Sequence, residues 1–548
     1  MILFYEKSND TFYFKCRFEE KDIPKSNGFR WDKNLKLWYT TDAVIAMRLR
    51  NYANKEALER IEQSEENIKN SNKAKSEIEI PKPENLEYMP FQKAAIEYAI
   101  NRKYTLFGDE PGLGKTIEAI GVINATNPEK VLIICTNTLK LNWEKELKKW
   151  LVHNKNIKIV ENKIDFDFSF YDILIINYER LIKIENKDVS FDLLIIDECH
   201  KIKNKNAKRT KAILDKENGL IKKAKKVIFI SGTPFLNHPI ELFSILEACD
   251  SNKWKFWPFV KRYCNAEQGS YGWDFSGASN IEELQMKLRD LLMIRRQKKD
   301  VLKELPDKIR QIIVFPANNS NEQENELIRQ YKEILKQIEN AKLEKEKISN
   351  IAYENMIKEL NKKMIDVTSN VFRARHQTSL SKIPLVVEHI KNILEEDYQK
   401  LVIFAHHLDV IEGIKNGLRE YTCEILTGET PVNKRQEIVE SFQNKKDPLI
   451  IIAGINVAGL GITLTAAKVA CFAELDWVPA NITQCEDRLH RIGQKTNVLI
   501  QHLVLDKSID LKIAEKIIEK QKLFDQGMNV DSGKILREII QQETKENA

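Results

Sequence analysis

The residues with the clearest chemical content are Gly108-Asp109-Glu110-Pro111-Gly112-Leu113-Gly114-Lys115-Thr116. They follow the apolar run Tyr104-Thr105-Leu106-Phe107 and lead into Ile117-Glu118-Ala119-Ile120, so the stretch reads as a turn between a buried strand and a helix. Glycines at 112 and 114 let backbone N–H groups approach an anion, and the helix N-terminus adds partial positive charge. Lys115 would reach the β- and γ-phosphates of a nucleotide, and Thr116 would place its hydroxyl on magnesium. Gly112, Leu113, Gly114, Lys115 and Thr116 are therefore the expected nucleotide contacts. Asp109 stands where the generic spacing calls for glycine, with Gly108 one place early. Upstream, Gln92 carries the amide needed to accept from and donate to an adenine edge.

A second constellation is Asp197-Glu198-Cys199-His200, directly after the apolar run Leu193 to Ile196. An aspartate at a strand end beside a phosphate loop can hold magnesium, and a neighbouring glutamate can orient or deprotonate an attacking water. Ser231-Gly232-Thr233-Pro234 ends a further apolar run. Its hydroxyls could link the nucleotide site to a second lobe.

These residues need strands to carry them. Short β-branched runs at Val131 to Cys135, Ile173 to Ile176, Leu193 to Ile196 and Val227 to Ile230 alternate with helical stretches, which predicts a parallel sheet covered on both faces. Ligands of such sheets lie beyond the carboxyl ends of the strands, where the polar residues above fall. A second sheet is expected from Leu401 to Ala405, Ile425-Leu426, Leu449 to Ala453 and Ala458 to Leu464. The fold class is therefore α/β, with two parallel-sheet lobes, a small N-terminal α+β module and a helical insertion.

The 548 residues suffice for about three units with cores of their own. A net charge of +6 permits a basic track without requiring one, and lysine runs such as Lys222-Lys223-Ala224-Lys225-Lys226 read as solvated faces. Eight cysteines, none in a C-x-x-C pair, read as reduced core thiols. No apolar run reaches membrane-spanning length, and Met1 to Glu6 lacks the pattern of a signal peptide. A cytoplasmic, nucleoid-associated location is expected in a prokaryote or virus, and a nuclear one in a eukaryote.

In chain order, residues 1–53 form the small module, with Phe12, Phe14 and Cys16 in strand rhythm, a hairpin around Asp32-Lys33-Asn34 and a helix start at Thr41-Asp42. Arg17, Arg30, Lys33 and Lys36 lie among aromatics, so Trp31 and Trp38 either stack on unpaired bases or belong to the core. Residues 54–87 read as a charged linker, 88–316 as the first lobe, 317–380 as a helical insertion, 381–527 as the second lobe with a bracing helix past Ser508, and 528–548 as a tail. Within the insertion, Leu327, Tyr331, Leu335 and Ile338 recur at helical spacing.

With Gln92, the phosphate loop, Asp197-Glu198-Cys199-His200 and Ser231-Gly232-Thr233-Pro234 in this order, the chain resembles superfamily-two helicases. It is more closely similar to the SWI/SNF-type DNA translocases, whose loop commonly reads D-E-x-G-L-G-K-T, as Asp109 to Thr116 does. Pro111 stands where methionine is frequent, Thr136 where proline is usual, and Cys199 where serine or alanine is usual. Gln484-Cys485-Glu486-Asp487-Arg488-Leu489-His490-Arg491-Ile492-Gly493-Gln494 resembles the family's motif VI, with Arg488 and Arg491 expected on one helix face. The best match is to the annealing helicases with HepA-related (HARP) modules. It rests on Arg262-Tyr263-Cys264, Gly272-Trp273-Asp274-Phe275-Ser276-Gly277, Met293-Ile294-Arg295-Arg296 and Phe404-Ala405-His406-His407. The similarity covers about Leu86 to Gly527, and the N-terminal module is similar in pattern to a HARP module.

The resemblance implies two tandem RecA-like lobes that bind ATP and Mg2+ in the cleft between them. Lys115, Asp197, Glu198, Arg488 and Arg491 would be catalytic, the arginines stabilising charge on the transferred phosphoryl group. It also implies a monomer that tracks duplex or forked DNA without sequence preference, through Thr136, Asn137, Asn177, Tyr178, Ala453-Gly454 and Thr463. The expected activity is an annealing helicase that remodels or reanneals branched DNA. The alternatives are a duplex translocase that displaces bound proteins, and a DNA-binding scaffold with a vestigial ATPase site.

Overall fold

In the computed structural model, which describes residues 1–162, 165–182, 189–232, 239–269, 272–275, 277–317, 319–344, 349–395, 400–447, 449–458 and 461–515, alternation at Phe12 and Phe14 buries both rings on one face of a sheet. That sheet is four-stranded and antiparallel: β1 (Ile2–Glu6), β2 (Thr11–Lys15), β3 (Arg30–Asp32) and β4 (Leu37–Thr40), in the order β1-β2-β4-β3. Asp42 caps the helix Ala43–Ala46 by accepting from the N–H groups of Val44 and Ile45, a contribution of about 1 kcal/mol. The two tryptophans divide: Trp38 packs against the core, while Trp31 is 48 % exposed. The expected linker opens as a helix, Lys55–Asn70, that buries Ala57 and Ile61 in the module's core and so belongs to it. Arg48 to Glu283 (2.8 Å), Asp42 to Lys287 (2.6 Å) and Asn67 to Asp290 (3.0 Å) then tie module and helix to the helix Ile281–Leu291. Met1–Lys303 is accordingly one unit.

Its larger sheet contains β5 (Tyr104–Phe107), β6 (Val131–Cys135), β7 (Ile157–Ile159), β8 (Ile173–Asn177), β9 (Phe191–Asp197) and β10 (Ala224–Ile230). After a hairpin of β11 (Glu267–Gly269) and β12 (Gly272–Asp274), β13 (Met293–Ile294) completes it. The seven strands are parallel, in the order β13-β5-β10-β9-β6-β8-β7. Apolar clusters line both faces, which is why these strands read as continuous rather than alternating runs. The phosphate loop, Thr136, Tyr178, Glu198 and Ser231 each follow the carboxyl end of a strand.

The second unit, Glu304–Ala548, is built on β14 (Lys308–Phe315), β15 (Leu401–Ala405), β16 (Cys423–Leu426), β17 (Ile450–Gly454), β18 (Val469–Phe472) and β19 (Val498–Leu505). These are parallel, in the order β14-β19-β18-β15-β17-β16. The sequence reading placed β14 in the first lobe, but it pairs residue for residue with β19, from Lys308↔Val498 to Phe315↔Leu505. The strand expected at Ala458 to Leu464 needs correction: Ala458 closes the helical turn Ile455–Ala458, Gly461 to Leu464 lie in no strand, and β18 takes the place in the sheet. The insertion is two helices, Asn319–Leu343 and Asn350–Ser381, sharing a seam of their own. Ile328, Tyr331, Ile334 and Ile338 fill it, so the buried stripe lies one residue round from Leu327 and Leu335. Thr233, Pro234, Ser276, Gly459, Leu460 and residues 516–548, hence the end of the second lobe and the tail, lie outside the described residues. Among the described residues no helix is long and apolar enough to cross a membrane.

Beyond β15 the buried Glu474 accepts from the backbone N–H groups of His406 (2.7 Å) and His407 (2.9 Å) and from His407 Nδ1 (2.7 Å). Burial acts to raise its carboxyl, but these bonds prevail and hold it at about 2, and the bond to Glu474 raises His407. The carboxylate's contribution is present above its ordinary 4.5 and lost as pH falls towards 2. That of the imidazolium is present below its ordinary 6.5 and lost as pH rises past the raised folded value. Glu474→Gln should therefore lower the thermal midpoint most near pH ~5.5, by roughly 3–6 °C, and less near pH ~9. A midpoint difference that does not vary with pH would rule out the ionic contribution.

Candidate functional site

The phosphate loop turns through Gly112 (φ 90°) and Gly114 (φ 86°) into the helix Lys115–Thr126. Glycine at 114 is required twice: its φ is left-handed, and a Cβ there would lie 2.5 Å from Gln92 Nε2. Gln92, 2 % exposed, donates from Nε2 to the Leu113 carbonyl (3.0 Å) and accepts at Oε1 from the Met89 N–H (3.0 Å). Its amide thus fastens the loop to the helix Pro90–Ile100, and both of its ends are engaged within the protein. Lys115 Nζ donates to the carbonyls of Asp109 (2.7 Å) and Glu110 (3.1 Å). Burial pushes this ammonium's pKa down, and Asp109, Glu118, Glu198 and Asp197 act to raise it.

Asp109 is explained by a contact that the sequence does not announce. Fully buried, it accepts from the backbone N–H of Arg296 (2.8 Å) and from Nε (3.0 Å), and pairs with Nη2. The same Nη2 reaches Glu118 Oε1 at 2.8 Å, while Nη1 donates to the Phe91 carbonyl. Burial, then Asp109, pushes the Glu118 carboxyl well above its usual range. The segment around β13 runs beside the loop: Gly108 N–H donates to the Ile294 carbonyl (2.8 Å) and Lys298 N–H to Glu110 Oε2 (2.6 Å). A buried carboxylate at 109 is what this brace requires, and a glycine would remove the acceptor of the Arg296 N–H and Nε, leaving Glu118 as its one ion-pair partner among the described residues.

At the end of β9, Asp197 accepts from Trp143 Nε1 (2.8 Å) and from the Glu198 N–H (2.9 Å). Burial, then Glu198, pushes its carboxyl up to about 7. Glu198 has φ 51° and ψ 51°, left-handed backbone that costs a non-glycine residue about 1 kcal/mol. The turn frees Glu198 from the strand pleat, which would have sent it to the face opposite Asp197. Its Oε2 lies 3.2 Å from His200 Nδ1. Gly232 also reaches the loop, since a Cβ on it would meet Pro111 Cγ at 2.8 Å and Lys115 Nζ at 3.4 Å.

Gln92, the loop and the acid pair are therefore brought together in the first unit. Asn137 is exposed after β6, beside Thr136, whose hydroxyl lies 3.1 Å from that of Thr138. Tyr178 needs correction as a DNA contact: its ring is 2 % exposed and its hydroxyl donates to the Asp197 carbonyl at 2.6 Å, so it supports the acid pair. Asn177 is likewise buried, with Nδ2 on Glu179 (2.8 Å). Sequence reasoning missed Trp143 and Arg296. Nothing local marks the former, and the latter stood only in the string Met293-Ile294-Arg295-Arg296 of the family resemblance, with no role attached.

In the second unit Gly454 ends β17, half-buried, after the fully buried Ala453. Arg488 and Arg491 do not share a helix face, because the helix Pro479–Glu486 stops short of both. The Arg488 carbonyl accepts from the Leu464 N–H (2.9 Å) instead of continuing the helix, and Gly493 (φ 99°) turns the chain. Gln494 Nε2 closes the turn on the carbonyls of Thr465 (3.2 Å) and Ala467 (3.1 Å). Arg491 Nη1 donates to Thr463 Oγ1 at 3.0 Å, joining two residues expected to act separately. Glu486, fully buried, anchors the motif by accepting from Lys308 (2.8 Å) and Arg310 Nε (2.8 Å) on β14.

With this geometry in place, the family comparison is decisive: the SNF2-related domain matches residues 91–371, and the helicase conserved C-terminal domain matches residues 381–493. The chain belongs to the SNF2 family. It is 32 % identical over 470 residues to the DNA annealing helicase and endonuclease ZRANB3 of Homo sapiens, covering 82 % of this chain and 41 % of that protein. It is also 32 % identical over 448 residues to the SWI/SNF-related matrix-associated actin-dependent regulator of chromatin subfamily A-like protein 1 of Xenopus tropicalis, covering 80 % and 45 %. The chain thus spans less than half the length of either relative. Among solved structures, the Sulfolobus solfataricus SWI2/SNF2 ATPase core in complex with dsDNA aligns at 25 % identity and a TM-score of 0.38, over 82 % of this chain and 94 % of that one. SNF2 helicase-type domains use a nucleotide, and the residues present suit one. The Gly112–Gly114 turn is a cradle that a Cβ would close, and Thr116 and Asp197 offer the oxygen ligands that magnesium prefers.

Proposed function

We propose that this chain is an ATP-driven motor on double-stranded or branched DNA that remodels or reanneals forks. The observation that carries the reading is the convergence of Lys115, Asp197 and Glu198 at one sheet edge, in a chain whose second unit holds the motif VI arginines. In this reading Lys115 and the loop N–H groups hold the β- and γ-phosphates of ATP, and Thr116 and Asp197 hold its Mg2+. Glu198 positions and deprotonates the attacking water. Arg488 and Arg491 are assigned the charge on the transferred phosphoryl group, with Thr463 fixing Arg491. Asn137, Thr136 and the backbone at Gly454 are the DNA contacts that the observed exposure favours, while Asn177 and Tyr178 position the site. The likeness to a protein named as an annealing helicase supports the forked substrate, and a monomer suffices for all of these roles.

Rewinding complementary strands gains about 1.4 kcal/mol per base-pair step, so pairing itself needs no fuel and hydrolysis drives movement. ATP turnover on forked DNA, plain duplex, single strands and RNA tests the proposal. Forked and duplex DNA should stimulate it about tenfold or more, RNA should not, and stimulation should fall steeply with salt. Equal turnover with and without every DNA would overturn it.

A further inference from the structure

In the first unit the N-terminal module and the connection between the helices Ile240–Cys249 and Phe256–Tyr263 enclose a cavity of about 300 Å3. None of the residues assigned to the nucleotide lines it. One wall is the hairpin of β3 and β4, where Arg30 stands directly opposite Tyr39 and so shares its face. The facing wall supplies Lys253 and Lys255. Gly28 lets the module come this close: its φ is 94°, and a Cβ there would lie 3.2 Å from Arg262 Nη2.

The charges around the cavity are unequal. Arg262 and Lys287 are held in ion pairs, the first with Glu283 (Nε to Oε1, 2.6 Å), the second with Glu283 (2.8 Å) and Asp42 (2.6 Å), and Glu283 also takes Arg48 (2.8 Å). Arg30, Lys253 and Lys255 make no ion pair among the described residues, and Asp42 is the only acid in the lining. Three positive charges therefore face a space that also presents a tyrosine ring and the polar edges of Thr41 and Asn252. Its volume is at the lower limit for ligand pockets, right for about one nucleotide and far too small for a duplex. Uncompensated cations beside an aromatic face are what a nucleic-acid backbone with an unstacked base requires.

We propose that this cleft holds an unpaired stretch of a DNA strand, with backbone phosphates on Arg30, Lys253 and Lys255 and one base against Tyr39. The proposal rests on the DNA-motor reading above and deepens it. A motor carrying such a site beside its first sheet distinguishes a fork, which offers an unpaired strand, from plain duplex, which does not.

The test uses the full chain. Deleting the module would strip Asp42 and Arg48 from the buried Glu283 and Lys287, so point substitutions are preferable. The triple variant Arg30→Gln, Lys253→Gln, Lys255→Gln is compared with a charge-matched control, Lys7→Gln, Lys69→Gln, Lys75→Gln, made at exposed positions elsewhere in the unit. Fluorescence anisotropy of a labelled oligothymidylate is read against salt, and Tyr39→Ala is read at fixed salt. The cleft triple should weaken binding about tenfold or more and lower the log–log salt slope by about 2, from about 0.7 per lost phosphate contact. Tyr39→Ala should weaken it about fivefold or more, and the control should change it less than about twofold. Equal loss in cleft and control triples, or competition by thymidine monophosphate as strong as by the oligomer, would overturn the site. Absence of DNA-stimulated hydrolysis in the unsubstituted chain would instead count against the motor, and the two failures are separately visible.

Discussion

Lys115→Ala and Glu198→Gln should each reduce DNA-stimulated hydrolysis by about 10²–10³-fold or more, with affinity for duplex DNA held within roughly twofold because that affinity comes from other phosphate contacts. The lysine is held under the loop by the carbonyls of Asp109 and Glu110, so an ammonium is already placed where phosphate charge would arrive. Such preorganised charge acts most strongly in a buried site, and burial is the leading influence on this lysine. Glu198→Gln keeps the shape of the side chain and removes its capacity to take a proton, leaving the left-handed turn and the Asp197 contacts in place. Single-turnover hydrolysis with separate DNA-binding titrations reads the two effects apart. Unchanged turnover in either variant would remove that residue from the mechanism.

The second large effect is on stability. Arg296→Met should destabilise the first unit by about 3–5 kcal/mol, because it leaves Asp109 and Glu118 buried without their cation. In a unit of this size, Met1–Lys303, that lowers the thermal midpoint by about 5–8 °C. Replacing all three members together (Asp109→Leu, Glu118→Met, Arg296→Met) should cost much less, since an apolar set of similar volume removes the triad's buried charges together, while Glu198 and Asp197 still face Lys115. Thermal denaturation of the single and triple variants decides it. A single variant as stable as the unsubstituted chain would show that the triad does not hold the loop.

Local patterns made the elements that carry the candidate nucleotide site legible. Glycine spacing before Lys115, the acid pair after four apolar residues and the buried runs of β6, β8, β9 and β10 each depend on neighbours in sequence, and each was read to within a few residues. The cap at Asp42 was visible for the same reason. Misreadings arose where the deciding partner is distant. Arg296 meets Asp109 across 187 residues, and Asp307 next to β14 meets Asn497 across 190. Tyr178 looked like a free residue at a strand end until the Asp197 carbonyl appeared beside its hydroxyl. The helix expected to carry Arg488 and Arg491 has no breaker within it, yet it stops at Glu486, and beyond its end the Arg488 carbonyl accepts from the distant Leu464 N–H.

By itself, then, the sequence marked Lys115, Thr116, Asp197 and Glu198 as the candidates to hold phosphate, magnesium and a proton, and determined that strands would present them at one edge, because backbone periodicity and turn chemistry act over a few residues. Only the tertiary structure decided why Asp109 replaces a glycine, which sheet β14 completes, and that the module and first lobe share a charged cleft. Those outcomes depend on pairing charges and strands far apart in the chain, and the free energy of a buried ion pair or a parallel ladder exists only once both partners have been brought together.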